Sequence, residues 1–370
     1  MSYRSLLQPI QRLLLVFATL LTGIAPTWAQ VQALPALNID IRQTSVSGIS
    51  SGGFMAVQFE IAHSDIIKGV GIVAAGPYGC AQGDPVIATT RCSCTLHPGR
   101  AACLVSATSA DVDRLVEATG EAEKKRLIDS TANLAHHRVL TISGSEDQIV
   151  PREIVTQLAE YYKKLGVAEA NLRENKKEGA GHTMPTAAYG NACASSDSPQ
   201  LGKCREDAAK EILEWIYGPL QGRKAGTLPG KLIRFDQTPF LPSGSLSALR
   251  SGLDHTGWVY VPAACAKGLA CRLHIALHGC QQGQSYLSLK APPGGGLYFG
   301  ATFVEHAGYN RWAEANRLVV LYPQAVSIPY LNPYGCWDWW GYTDGHYADR
   351  QGIQIRALRA MAAQLSSGAK

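Results

Sequence analysis

Short apolar runs alternate with longer mixed stretches along most of the chain. Thr44–Ser47, Gly69–Val73, Arg138–Ile142, Trp258–Val261, Leu273–Leu277 and Leu318–Leu321 are brief and partly β-branched, which predicts strands. Between them, Gly53–His63, Arg152–Lys164, Glu206–Tyr217, Tyr309–Asn316 and Arg350–Leu365 carry helical patterns, the first of them read as an amphipathic helix. Strands alternating with helices predict an α/β class, with a mostly parallel central sheet and helices on both faces. No internal repeat interrupts this order. The stretch from Gly218 to Ser251 is richer in Gly, Pro, Ser and Leu than its flanks and reads as a long surface excursion between two sequence halves.

Composition narrows the class. Of 370 residues, 46% are hydrophobic and 17% charged, so a sizeable core forms and global disorder is excluded. The net charge of +5 is spread along the chain rather than gathered in a patch, which argues against a nucleic-acid partner. Near the start, Arg4 and Arg12 precede an apolar run from Leu13 to Leu21, followed by Gly23, Pro26 and Ala29. This is the pattern of a cleaved export signal over residues 1–29, leaving 30–370 as one domain. The run is too short to span a bilayer comfortably and no later stretch is long enough, so no stable membrane insertion is expected after cleavage.

All ten cysteines follow the signal, and an even number in an exported chain reads as disulfides. The expected location is secreted or periplasmic. Closeness in sequence suggests Cys193 with Cys204 and Cys265 with Cys271 as local staples, while the partners of Cys80, Cys92, Cys94 and Cys103 stay open. Cys92 and Cys94 lack the two-residue spacer of zinc knuckles, and the adjacent His136 and His137 would face opposite sides of a strand. No metal and no organic cofactor is expected.

Three separated motifs suggest nucleophilic catalysis. Gly48-Ile49-Ser50-Ser51-Gly52 falls between a predicted strand and a predicted helix, where glycines on either side allow a turn sharp enough to present a serine. The apolar strand from Val139 then runs into a turn holding Glu146 and Asp147, of which Asp147 is the preferred acid and Glu146 the fallback. Finally, His182 stands in a glycine-flanked loop from which it can reach across a sheet top. Serine, acid, histidine is the order used by α/β-hydrolases. A fourth motif, His278-Gly279-Cys280, ends an apolar strand and resembles the loop that offers one oxyanion amide in lipases and esterases, the Ser51 amide being the other. In the ordinary fold that strand precedes the serine turn; here it follows by more than two hundred residues, which points to a circularly permuted sheet. From Tyr330 to Tyr347, seven aromatic residues crowd around Gly335 and Gly341. They fit no single helix or strand face, and read equally as a cleft wall or as a packed loop core.

The stretches Val46–Ala56 (VSGISSGGFMA), Ala75–Cys80 (AGPYGC), Gly179–Thr183 (GAGHT), Leu277–Gln282 (LHGCQQ) and Asn332–Trp339 (NPYGCWDW) resemble the extracellular poly(3-hydroxybutyrate) depolymerases with a circularly permuted catalytic domain. The resemblance runs from about Leu34 to the C-terminus. It implies an α/β-hydrolase fold, a Ser50–Asp147–His182 triad, and an oxyanion hole from the Ser51 and Cys280 amides. It further implies that Trp337 helps hold substrate, that Cys280 pairs with Cys336, and that the partner is a polyester or oligoester. No separate polymer-binding domain is expected, so amorphous polymer or soluble oligomers suit the chain as well as crystalline polymer. Two alternatives remain: a feruloyl or acetyl carbohydrate esterase on the same scaffold, and a non-catalytic secreted binding module.

Overall fold

Strands form wherever the short β-branched runs predict them. The computed structural model describes residues 31–95, 103–222, 226–243, 250–288 and 296–369; the predicted signal segment lies outside them. The main sheet holds β1 (Ile39–Ile49), β2 (Ile67–Val73), β3 (Arg138–Gly144), β4 (Leu172–Lys177), β8 (Lys231–Asp236), β9 (Thr256–Val261), β10 (Cys271–Leu277) and β11 (Leu318–Tyr322). Between β4 and β8, the short strands β5 (Met184–Thr186), β6 (Asn191–Ala192) and β7 (Leu201–Lys203) make a small separate sheet.

The order across the main sheet is β4-β3-β2-β1-β10-β11-β9-β8. Pairs from β4 to β11 are parallel, and β9 and β8 add antiparallel at one edge. The chain therefore enters the sheet at its middle, runs outward to β4, then restarts at the opposite edge and works back until β10 lies against β1. This is the α/β-hydrolase sheet with its ends moved, as the motif order requires. Helices Ser51–Ala62 (α1), Arg152–Lys164 and Ile353–Ser366 pack on one face, and Ala208–Tyr217 with Tyr309–Asn316 on the other.

Central strands buried on both faces read as continuous apolar runs; β11 is buried throughout and β10 nearly so. The edge strands are different. β4 (LRENKK) and β8 (KLIRFD) are half exposed and charged, a common protection against edge-to-edge pairing, and that chemistry hides them from a pattern search. β8 lies inside the stretch read as a surface excursion, which it corrects. The helix at Val112–Lys124 also has no counterpart in the predicted pattern. A further correction concerns α1, predicted as amphipathic: all twelve of its residues are buried, because the aromatic loop and Ile353–Ser366 cover the side turned away from the sheet. The two polar side chains in its second half are satisfied there. Gln58 Nε2 donates to the carbonyls of Asp338 and Tyr347 at 2.9 and 3.3 Å, and Glu60 accepts from Tyr162 Oη and meets His137 Nδ1.

All ten cysteines are paired: Cys80 with Cys92, Cys94 with Cys103, Cys193 with Cys204, Cys265 with Cys271 and Cys280 with Cys336. The two local staples and the long-range pair agree with expectation, and the first two bonds fill the pairing left open. No helix among the described residues is long and apolar enough to cross a membrane.

The junction between β1 and β10 joins the two halves of the chain, and it is partly polar. The His274 ring lies fully buried between Ser45 Oγ and Ser47 Oγ, at 2.7 and 2.8 Å, and Tyr309 Oη meets Ser47 Oγ at 2.6 Å. Burial drives the His274 pKa from 6.5 down to about 3, and His63 and His278 down to about 4. Each of these imidazoles binds a proton less readily in the folded chain, so the unfolded chain protonates first as pH falls. Their contribution to stability is whole above about 6.5 and is lost as pH drops toward the folded values. Asp129, pushed up to about 6 by burial and by Asp65, works the other way. Replacing His274 with Asn removes one of the three. Urea unfolding at pH 7 and pH 5 should show the wild type losing about 2 kcal/mol more than His274→Asn over that interval; equal losses would contradict the account.

Candidate active site

β1 ends at Ile49 and α1 begins at Ser51, so the chain turns at Ser50 alone. Ser50 takes φ 56° and ψ −126°, a region that non-glycine residues rarely occupy and that a surrounding structure must enforce. The enforcement is visible. Ser50 N donates to Val73 O at 2.9 Å. A Cβ on Gly48 would lie 2.2 Å from the Gly52 carbonyl oxygen, and one on Gly52 would lie 2.3 Å from the carbonyl oxygen of His278. Only glycine fits either position. The first turn of α1 holds no acidic side chain, leaving the positive end of its dipole uncompensated beside Ser50.

Asp147 and His182 meet as a buried pair. Asp147 Oδ1 accepts the Ile149 and Val150 amides, both at 2.9 Å, while Oδ2 faces His182 Nδ1 at 2.8 Å. The side chains are 1% and 4% exposed, so water does not compete for the contact. Glu146, the fallback acid, is exposed and accepts from its neighbour Ser145 Oγ. Packing requires two glycines here: Gly181, next to His182, and Gly144, at the end of β3. A Cβ on Gly181 would sit 2.4 Å from Ala194 O, and one on Gly144 would sit 2.2 Å from Ala180 O. Ser196 Oγ accepts the His182 amide at 2.9 Å, and the Cys193–Cys204 bond closes the same loop.

The His278-Gly279-Cys280 turn at the end of β10 arrives beside Ser50. A Cβ on Gly279 would lie 3.3 Å from Ser50 Cβ, so turn and serine are in contact. Among the described residues, neither the Ser51 nor the Cys280 amide donates to an acceptor within the chain. The Cys280–Cys336 bond ties the turn to the aromatic loop, and Gln281 N donates to Tyr334 O at 2.7 Å. The loop touches the serine turn too, through Trp337 N and Ser51 Oγ at 3.3 Å.

Ser50, His182 and Cys280 open onto one cleft of about 430 Å³, walled by Tyr330, Tyr334, Trp339 and Trp340. Trp339 stacks on Phe54 with ring centroids 4.0 Å apart. Trp337 is not part of that wall. Its ring is fully buried against His278, and its indole Nε1 has no hydrogen-bond partner. Tyr342 and Tyr347 are buried as well, so the aromatic run divides between wall and packed core. The residue that organises it, Asp338, lies in the NPYGCWDW stretch but is not among the expected site residues. Its buried carboxylate accepts the amides of Trp340, Gly341, Tyr342 and Thr343, while burial pushes its pKa above the ordinary aspartate value.

Away from the cleft, past the far end of α1, His63, Asp65 and Asp129 bring ligand atoms within 4.8 Å of one another. Arg350 already pairs with Asp129 at 2.8 Å.

No family model matches the chain. A poly(3-hydroxybutyrate) depolymerase of Delftia acidovorans is 39% identical over 355 residues, which cover 95% of this chain and 65% of that relative. A polyhydroxybutyrate depolymerase of Talaromyces funiculosus is 35% identical over 365 residues, 94% of this chain and 96% of its own length. A solved PHB depolymerase, a serine-to-alanine variant complexed with an R3HB trimer, is similar with a TM-score of 0.78 and 34% identity over 92% of this chain and 100% of its own. At that level of identity along nearly the whole chain, the protein belongs to the poly(3-hydroxybutyrate) depolymerase family.

Proposed function

We propose that this chain is a serine esterase that hydrolyses poly(3-hydroxybutyrate) or its oligomers to 3-hydroxybutyrate and short oligomers. The observation that carries the reading is the meeting of three sequence-distant parts at one cleft: a strained Ser50, a buried Asp147–His182 pair, and the Cys280 turn in contact with the serine. Ser50 Oγ attacks the ester carbonyl carbon as His182 Nε2 takes its proton. Asp147, bonded to Nδ1, fixes the tautomer that leaves Nε2 available as base and stabilises the imidazolium that follows. The negative charge formed on the carbonyl oxygen is met by the Ser51 and Cys280 amides, each donor worth roughly 3–4 kcal/mol in comparable sites. The imidazolium returns the proton to the departing alkoxide. Water, deprotonated by the same imidazole, then releases the acid and restores Ser50.

The substrate assignment is supported by the R3HB trimer bound to the solved relative and by the aromatic cleft wall, which suits a chain of alternating ester and apolar groups. Trp337 holds substrate in this reading. It does so from beneath the cleft and not on its wall: its buried ring packs against His278 and its backbone amide meets Ser51 Oγ, so it supports the two turns that flank the bound ester. Five disulfides support a secreted or periplasmic location after removal of the 1–29 segment.

Ser50→Ala is expected to abolish ester hydrolysis with its melting temperature unchanged, and a fluorophosphonate probe should label Ser50 in the folded wild type. Full activity in the variant would end the proposal, and failure to label would favour a binding module. Asp147→Asn should lower kcat by about four orders of magnitude. Release of 3-hydroxybutyrate from trimer or amorphous polymer should far exceed ferulate release from an aryl ester; the reverse ranking would support the carbohydrate-esterase alternative.

A further inference from the structure

Gly279 has little room for a side chain: its Cβ would lie 3.1 Å from Gln282 Oε1, 3.2 Å from Ile49 O and 3.3 Å from Ser50 Cβ. The same bareness leaves its backbone angles loosely constrained. A loose residue cannot hold the next amide in a fixed direction, yet oxyanion binding depends on fixed direction.

Two buried side chains remove the looseness. His278 Nδ1 lies 2.7 Å from the carbonyl oxygen of Gly279, and Gln282 Oε1 accepts the Gly279 amide at 2.5 Å. The peptide planes before and after Gly279 are therefore both held. In a planar trans peptide the C=O and N–H point in opposite directions. Anchoring the Gly279 oxygen on one side thus turns the Cys280 N–H to the other.

The hydrogen-bond roles follow from the remaining contacts. Ala325 N–H donates to His278 Nε2 at 3.1 Å, so the single proton of the neutral ring sits on Nδ1 and is given to Gly279 O. The ring is fully buried beside Phe303 and Trp337. Gln282 Nε2 donates to the carbonyls of Pro199 and Gln200, which fixes its Oε1 as the acceptor for Gly279. Pro199 and Gln200 lie in the connection from β6 to β7, inside the span closed by the Cys193–Cys204 bond and downstream of His182, so the clamp on the turn is seated in the region that carries the imidazole.

We propose that His278 and Gln282 are positioning residues that clamp Gly279 from both sides and so aim the Cys280 amide at the oxygen of the attacked carbonyl. The proposal rests on the oxyanion role given to Cys280 above; neither side chain acts on substrate directly.

Two replacements of His278 separate aiming from mere packing. Asn can place an amide nitrogen where Nδ1 stood, keeping the bond to Gly279 O and losing the one to Ala325. Gln does the opposite. With a soluble 3-hydroxybutyrate trimer, His278→Gln should lose about 100-fold in kcat, the scale of one oxyanion donor, while His278→Asn stays within about tenfold of wild type. KM should change little in either, and affinity for a trifluoromethyl ketone analogue should fall in step with kcat. Gln282→Leu, which frees the N–H side of Gly279, should also lower kcat with KM preserved, and it asks the same question if His278→Gln does not fold. A His278→Gln enzyme as active as His278→Asn, or Gln282→Leu at wild-type kcat, would overturn the clamp. Wild type and Ser50→Ala in the same assay keep the outcomes apart: an inactive wild type defeats the esterase reading, whereas active clamp variants beside an active wild type defeat only this inference.

Discussion

The structure depends on one close approach. Gly52, just after the serine turn, sits against the carbonyl oxygens of Leu277 and His278 so tightly that a single carbon atom there would lie 2.3 Å from one and 2.5 Å from the other. That contact brings the start of α1 and the end of β10 together, and β1 and β10 lie more than two hundred residues apart in the chain. Parallel pairing of Ser47 with Ala276 and Gly48 with Leu277 brings the two strands level at their carboxyl ends, where open α/β sheets gather their chemistry. Everything reactive is then arranged around a serine that has no freedom to retreat.

Burial does the rest of the work by choosing protonation states. A carboxylate removed from water is costly unless it is paired or hydrogen-bonded, and Asp147 satisfies this with two backbone amides and one imidazole. Asp338 meets the same requirement with four amides of its own loop. Neutral histidines are the complement. His274 and His278 are buried without an acidic partner in hydrogen-bond contact, so burial lowers their basicity and each ring serves as a hydrogen-bonded spacer between strand or turn segments. Position in the fold, rather than residue type, separates these rings from His182.

The parts that were legible in the sequence share a reason. Gly48, Gly52 and Gly181 record where backbone meets backbone, and β3, β10, β11 and most of β2 are apolar runs buried on both faces, so both signals are written in residue type. β4 and β8 were not legible because an edge strand half in water needs charge more than hydrophobicity. α1 misled for the opposite reason: Gln58 and Glu60 look like a solvent face, but loops and helices far along the chain supply their partners. His278 was legible as part of a turn, though not the use of its ring, since that needs Ala325 and the Gly279 carbonyl in view. Asp338 and Gln282 fall inside the NPYGCWDW and LHGCQQ stretches, but nothing in those stretches tells their use, because what marks them is the set of amides and carbonyls that only the folded loops bring near.

The aromatic loop raises a general difficulty: how irregular backbone holds a cleft wall in a fixed place against the Cys280 turn. Between β11 and Ile353–Ser366 lie about thirty residues with no regular element, long for a connection in a compact domain. Three devices replace the missing ladder. Asp338 gathers four consecutive amides, Asn332 binds both the amide and the carbonyl of Cys336, and the Cys280–Cys336 bond closes a span of 56 residues. The other four disulfides close spans of 6 to 12 residues. Loop-closure entropy grows with the logarithm of span, so the long bond restricts the unfolded chain most, and it does so at the point where the Cys280 turn meets the aromatic cleft wall. A permuted chain has no short connection to join those two segments, and a covalent bond between them fixes the geometry that sequence proximity does not supply.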